Sequence, residues 1–183
     1  MTTCIALVRG INVGRAKRMA MADLARMFES MGFKGVRTIL NSGNVVFQAP
    51  HSDVKDVARA IEGQIVKRFG FSAAVVVITA GELAKIIDEN PLQSVATDPS
   101  RYLVAFVSGP VSLSGARPLL KESFAPEQFA IGAKAAYLWC PNGIINSRLG
   151  LAFARLTADS ATTRNWATVL KLQAAAGSDE TDT

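Results

Sequence analysis

Val36-Arg-Thr-Ile-Leu-Asn-Ser-Gly-Asn-Val-Val-Phe47 places two short runs of β-branched and apolar residues on either side of a turn-forming quartet, Asn41-Ser-Gly-Asn44. Asparagine and glycine tolerate the left-handed backbone of tight hairpins, so the pattern predicts two antiparallel strands, Val36 to Leu40 and Val45 to Phe47. Upstream, Cys4-Ile-Ala-Leu-Val8 is a short apolar run ended by Arg9-Gly10 and predicts a buried strand. Met21, Leu24, Met27, Phe28 and Met31 recur at three and four residues, the period of an amphipathic helix, and Gly32 stops it. Downstream, Ser52 caps a helix carrying Val54, Val57, Ala58, Ile61 and Ile65, and valine-rich Phe71 to Ile78 is a fourth strand. The order over residues 1–78 is therefore βαββαβ, that of a ferredoxin-like plait, with Leu24, Phe28, Ile61 and Ile65 covering one sheet face.

Beyond residue 78 the signals continue to alternate, which sets the class as α+β, a plait followed by a smaller second subdomain. Thr79-Ala-Gly-Glu82 has the spacing of a capping box and opens a helix ended by Asn90-Pro91. Residues 79–100 read as this helix and a linker, 101–176 as the second subdomain, and 177–183 as an acidic disordered tail. In the second subdomain Tyr102 to Val107 is a strand, and a connection rich in proline and glycine runs from Gly109 to Pro118, with a short helix near Leu119 to Phe124. Gln128 to Ile131 and Ala135 to Cys140 form a hairpin, Leu149 to Leu156 a helix, and Thr162 or Thr163 caps the last helix. No repeat of fixed period is visible, which excludes a solenoid.

Composition narrows the function classes. With 49% hydrophobic and 19% charged residues in 183, the chain has enough apolar surface to offset the entropy of ordering, which excludes intrinsic disorder and a coiled coil. The longest apolar runs fall far short of the roughly 18 to 20 residues that span a bilayer, so a soluble cytoplasmic protein with no membrane partner is expected. Cys4 and Cys140 both sit in apolar stretches, which predicts buried, reduced thiols. A single histidine, His51, excludes a multi-histidine metal centre, and its loop position beside Pro50 reads as solvated surface. No phosphate-loop or dinucleotide fingerprint occurs, and no cofactor is expected. Strand one has no aromatic residue and strand three only Phe47, so the stacking platform of an RNA-recognition domain is missing.

Charge is uneven. Residues 1–78 carry 11 Lys and Arg against five acids, and residues 79–183 carry nine against ten. In a plait ordered 4-1-3-2, the end of strand one and the hairpin joining strands two and three share an edge. Arg9-Gly-Ile-Asn-Val-Gly-Arg-Ala-Lys17 and Asn41-Ser-Gly-Asn44 are thereby brought together, and Arg9, Asn12, Lys17, Asn41, Ser42 and Asn44 form a candidate cradle for a phosphate or carboxylate. The same glycines and asparagines serve equally as turn scaffold. Arg148, following the candidate cap Ser147, and Arg164 with Asn165, which a helix cap does not require, are further candidates. A cation at a helix start is disfavoured unless an anion joins it.

Four motifs, Ala6-Leu-Val-Arg-Gly-Ile-Asn-Val-Gly14, Val36 to Phe47, Tyr137-Leu-Trp-Cys-Pro-Asn-Gly-Ile144 and Thr162-Thr-Arg-Asn-Trp166, resemble the uncharacterised bacterial family catalogued as domain of unknown function 1697, over roughly residues 3–174. The resemblance implies two consecutive α+β subdomains, the first ferredoxin-like, in a cytoplasmic bacterial protein. It implies no activity. Arg15 stands where that family usually has a second glycine, and Ala167 where it usually has asparagine.

Three readings of function follow. The first is a module binding a phosphorylated small molecule or nucleic acid through the residues just named. The second is an enzyme on a phosphorylated metabolite, for which His51, Asp23, Glu29 and Asp98 are the candidate bases, in no evident constellation. The third is a structural or self-associating protein. Oligomeric state is not fixed by the sequence.

Overall fold

The computed structural model describes the chain apart from residues 51, 52, 109 and 178–183 and the side chains of 110–112 and 159. His51, Ser52 and the acidic tail beyond Gly177 thus lie outside the described residues. The chain divides into two compact units, Met1–Leu83 with the segment from Lys171 onward, and Ala84–Leu170.

The first unit runs β1 (Thr2–Val8), α1 (Met21–Ser30), β2 (Lys34–Ile39), β3 (Asn44–Ala49), α2 (Val54–Phe69) and β4 (Val75–Thr79). Its sheet has the order β2-β3-β1-β4, the plait predicted from the hairpin. β1 is antiparallel to both neighbours, with Ala6 opposite Val45 on one side and Val77 on the other. Every second residue of β1, namely Cys4, Ala6 and Val8, faces a core closed by Leu24, Met27 and Phe28 of α1 and Val57, Ile61 and Ile65 of α2. Phe28 and Phe47 pack at its centre with centroids 5.1 Å apart, and partly buried Phe33 packs against them, its centroid 4.7 Å from that of Phe47. Each such ring contributes roughly 1.5–3 kcal/mol on burial. Phe47 is fully buried and offers no ring face to a base.

Two local expectations are corrected in this unit. The cap of α2 is Asp53, whose carboxylate accepts from the Lys55 N–H at 2.8 Å. β4 begins at Val75 rather than Phe71, because Phe71 turns back to pack near Phe69.

The second unit repeats the same order: β5 (Tyr102–Val107), α4 (Pro110–Ala116) running into a 3₁₀ turn at Arg117–Lys121, β6 (Gln128–Ile131), β7 (Ala135–Trp139), α5 (Arg148–Thr157) and β8 (Ala161–Asn165). Its sheet is ordered β6-β7-β5-β8, so the second unit is also a plait. The segment from Gly109 to Pro118, read as irregular from its proline and glycine, contains α4, where Leu113 and Ala116 are buried in the second core. Thr162 and Thr163 lie in β8, opposite Phe106 and Ala105, and cap nothing.

Each plait hands its last strand to a further helix in the same way. Thr79 ends β4 and caps α3 (Ala80–Asp88): Thr79 Oγ1 accepts from the Glu82 N–H at 3.1 Å, and the Glu82 carboxylate accepts from the Thr79 N–H at 2.9 Å. Asn165 ends β8 and caps α6 (Trp166–Gly177), its Oδ1 accepting from the Thr168 N–H at 2.9 Å and the Thr168 hydroxyl at 2.8 Å. Among the described residues no helix is long and apolar enough to cross a membrane.

Candidate functional site

The two plaits differ most in the connection that follows their first strand. In the second unit β5 ends at Val107 and α4 starts at Pro110, whereas in the first β1 ends at Val8 and α1 starts at Met21, leaving a loop of 12 residues. Strand-to-helix loops usually take two to six residues, and longer ones are commonly functional.

This loop has a defined conformation. Gly10, Asn12 and Gly14 have φ of +67°, +57° and +63°, so left-handed residues alternate with the ordinary backbone of Ile11 and Val13. Alternating right- and left-handed residues are the backbone pattern of anion-binding nests. Asn12 closes the waist of the loop. Its N–H donates to the Lys17 carbonyl at 3.1 Å, its Nδ2 to the Met19 carbonyl at 2.8 Å, and its Oδ1 accepts from the Met19 N–H at 2.8 Å. Ile11 and Met19 are buried and fix both ends. The arc between them exposes Arg15, Lys17 and Arg18, and among the described residues nothing hydrogen-bonds the N–H groups of Val13, Gly14 or Arg15.

The hairpin of β2 and β3 lies against this loop, as the strand order requires. Asn12 Nδ2 donates to the Asn41 carbonyl at 3.0 Å, and the Val8 N–H donates to the Gly43 carbonyl at 2.8 Å. Gly43 has φ +77°, and a Cβ there would lie 2.8 Å from Ile11 Cδ1 and 2.9 Å from Val8 Cβ, so the two segments touch only because this residue has no side chain.

The first unit therefore brings Arg9, Asn12, Lys17, Asn41, Ser42 and Asn44 together, in different roles. Asn12 and Asn44 are struts: buried Asn44 donates from Nδ2 to the Ile39 carbonyl at 2.9 Å and to Ser42 Oγ at 2.8 Å. Arg9 is half-buried, and its N–H donates to the Ala74 carbonyl at 2.9 Å. Lys17 is exposed and rests its Nζ 2.8 Å from the Ser72 carbonyl. Asn41 and Ser42 are exposed at the turn. Arg15 and Arg18, not singled out from the sequence, project from the same arc. The signal that marks them is the charge of the loop itself, four Lys and Arg and no acid between residues 9 and 20.

Arg148, Arg164 and Asn165 belong to the second unit. The anion that a cation at the start of α5 calls for is supplied by the protein: the Glu127 carboxylate accepts from the Leu149 N–H at 3.0 Å, beside the Ser147 cap. Asn165 is the helix cap of α6. Arg164 turns along its own strand, donating to Thr162 Oγ1 at 2.8 Å and the Thr163 carbonyl at 2.9 Å, and burial pushes its guanidinium pKa down to about 10.

Among the described residues two of the candidate bases are engaged. Asp23 pairs with Arg26, and Asp98, in the second unit, accepts from the Ser100 N–H and hydroxyl, which hold its carboxyl below the ordinary value. Cys4 and Cys140 are buried and unpaired, and burial pushes the Cys4 thiol up to about 11, far from a reactive thiolate. Among the described residues no group of three or more His, Cys, Asp or Glu is placed to hold a metal.

Fold and loop together define an α+β protein of two successive plaits, the first with a long cationic connection. Residues 1–137 match the family described as "Protein of unknown function (DUF1697)", and the chain belongs to that family. No curated protein matches the chain. Among solved structures it is similar to one described as conserved bacterial protein SP0830 from Streptococcus pneumoniae, with a TM-score of 0.79 at 19% identity, covering 96% of this chain and 98% of that one. That likeness is one of fold.

Proposed function

We propose that this protein is a binding module for a phosphate-bearing ligand, held at the loop of residues 10–18 in the first unit and flanked by the Asn41–Gly43 turn. The observation that carries the reading is the alternation of left-handed residues at 10, 12 and 14, clamped by Asn12 beneath exposed Arg15, Lys17 and Arg18. The backbone N–H groups of a nest meet phosphate oxygens without reorganisation, and each charge-assisted bond from a cation adds about 1.5–3 kcal/mol. Reduced, buried cysteines fit work in the cytoplasm. The binding reading is preferred to catalysis because the candidate base nearest the loop in sequence, Asp23 in the first turn of α1, is held by Arg26.

The test is thermal unfolding with and without inorganic phosphate and a set of phosphomonoesters, on wild type and on Arg15→Ala and Lys17→Ala. A ligand that binds only the folded chain raises its midpoint. The expected result is a rise in wild type that is lost in both variants while their ligand-free midpoints stay within a degree or two. No rise in wild type, or a rise that survives both substitutions, contradicts the reading.

A further inference from the structure

We infer that the partner of this site is the phosphate backbone of a nucleic acid duplex, docked along the whole edge of the first sheet. The inference rests on the phosphate reading above and extends it from one loop to an edge. Three segments meet there: residues 9–20 after β1, residues 37–44 at the β2–β3 turn, and residues 66–75 between the end of α2 and the start of β4. They are joined by the bonds from Asn12 to Asn41, Lys17 to Ser72 and Arg9 N–H to Ala74. Together they carry seven Lys and Arg and no Asp or Glu. Arg15, Lys17, Arg18, Lys67 and Arg68 are exposed, and among the described residues none of these five is in an ion pair.

Among the described residues the acids of this unit lie elsewhere or are engaged. Glu29, Asp53 and Asp56 belong to the opposite ends of α1 and α2, Asp23 holds Arg26, and Glu62 accepts from the Val75 N–H at 2.8 Å. Among the described residues the first unit is thus polarised along its strands, with a cationic edge, the electrostatic footprint of a polyanion partner.

Size and chemistry select the partner. Four strands at about 4.8 Å spacing give an edge of about 14 Å, too long for a single phosphate and long enough to bridge the roughly 6 Å mouth of a minor groove or to follow successive phosphates. Single strands are gripped by aromatic rings on which bases stack. Phe69 and Phe71, the aromatic residues of this edge, are only partly exposed and pack on the core. The edge therefore offers cations and backbone N–H groups to a phosphate backbone, and no stacking platform.

The experiment uses the full chain and a short fluorescein-labelled duplex, read by anisotropy, with the same sequence single-stranded and inorganic phosphate as comparison ligands. Three to five phosphate contacts predict a log–log salt slope of about −2.7 to −4.5, a loss of about 40- to 500-fold between 50 and 200 mM salt. Lys67→Gln with Arg68→Gln lies outside the loop, so it should weaken the duplex at least about tenfold and reduce the slope by about 2 without changing the response to phosphate. Lys55→Gln, at the other end of α2, should change neither. If phosphate binds but the duplex does not, or single strand binds as tightly as duplex, or the Lys67/Arg68 variant binds the duplex as wild type does, this inference is overturned and the phosphate reading stands. If neither phosphate nor duplex binds, both fall.

Discussion

Gly43 is where the two segments of the site touch, and it has two independent reasons to be glycine. Its φ is +77°, and an added Cβ would overlap Ile11 and Val8 side chains at under 3.0 Å. Gly14 has the first reason without the second, since its φ is +63° but nothing lies within 4 Å of a Cβ. Left-handed strain costs roughly 1 kcal/mol and forced overpacking another 1–3 kcal/mol. Gly43→Ala should therefore cost about 2–4 kcal/mol in urea unfolding and Gly14→Ala about 1 kcal/mol; equal costs would mean that loop and hairpin do not press together. Asn12→Ala should cost about 2 kcal/mol, because it leaves both the N–H and the carbonyl of Met19 without the partners it supplies. At this scale the residue types at the site were legible but their roles were not. Asn12 and Asn44 suit a ligand and a turn equally, and only the bonds they make identify them as struts.

The elements divide by how strongly their own period speaks. The hairpin, α1 and α2 are plain in the sequence because their apolar spacing and turn residues agree with the packing they enter. β8 is not: Ala161-Thr-Thr-Arg-Asn165 is five residues long, polar at all of its last four positions, and held by pairing to β5 rather than by a pattern of its own. Its threonines imitate a helix cap, and the true cap, Asn165, stands two residues later. That assignment predicts that Asn165→Ala costs about 1 kcal/mol while Asn165→Asp is nearly neutral, and that Thr163→Ala, exposed on β8, changes little. Equal effects of Asn165→Ala and Thr163→Ala in urea unfolding would count against it. The second plait was hidden for a related reason. Its α4 is seven residues of mixed small and apolar type, too short to show a helical period.

At the scale of the whole molecule, burial of titratable groups sets the response to alkali. The Cys4 thiol ionises near 9.0 when free and at about 11 in the fold, so the folded chain holds this proton more tightly than the unfolded one. The stability that follows is present below pH 9 and is lost as pH rises towards 11. Burial also pushes the Tyr102 and Tyr137 hydroxyls upward, extending the loss to higher pH. Melting temperature should fall steadily above pH 9, and less steeply between pH 9 and 11 in Cys4→Ala; an unchanged slope in that variant would remove Cys4 from the account. The segment from Lys171 belongs to the first unit, where Leu172 and Ala176 are buried and the Ala175 carbonyl accepts from the Arg37 guanidinium at 2.6 Å. The central claim remains the phosphate site in the first unit, and the most direct measurement is a titration of the amide-labelled full chain with inorganic phosphate, followed by backbone N–H shifts. The account predicts saturable shifts centred on Val13, Gly14 and Arg15, with smaller ones at Ser42 and Gly43. No saturable shift, or shifts centred on residues outside 10–18 and 41–43, would contradict it.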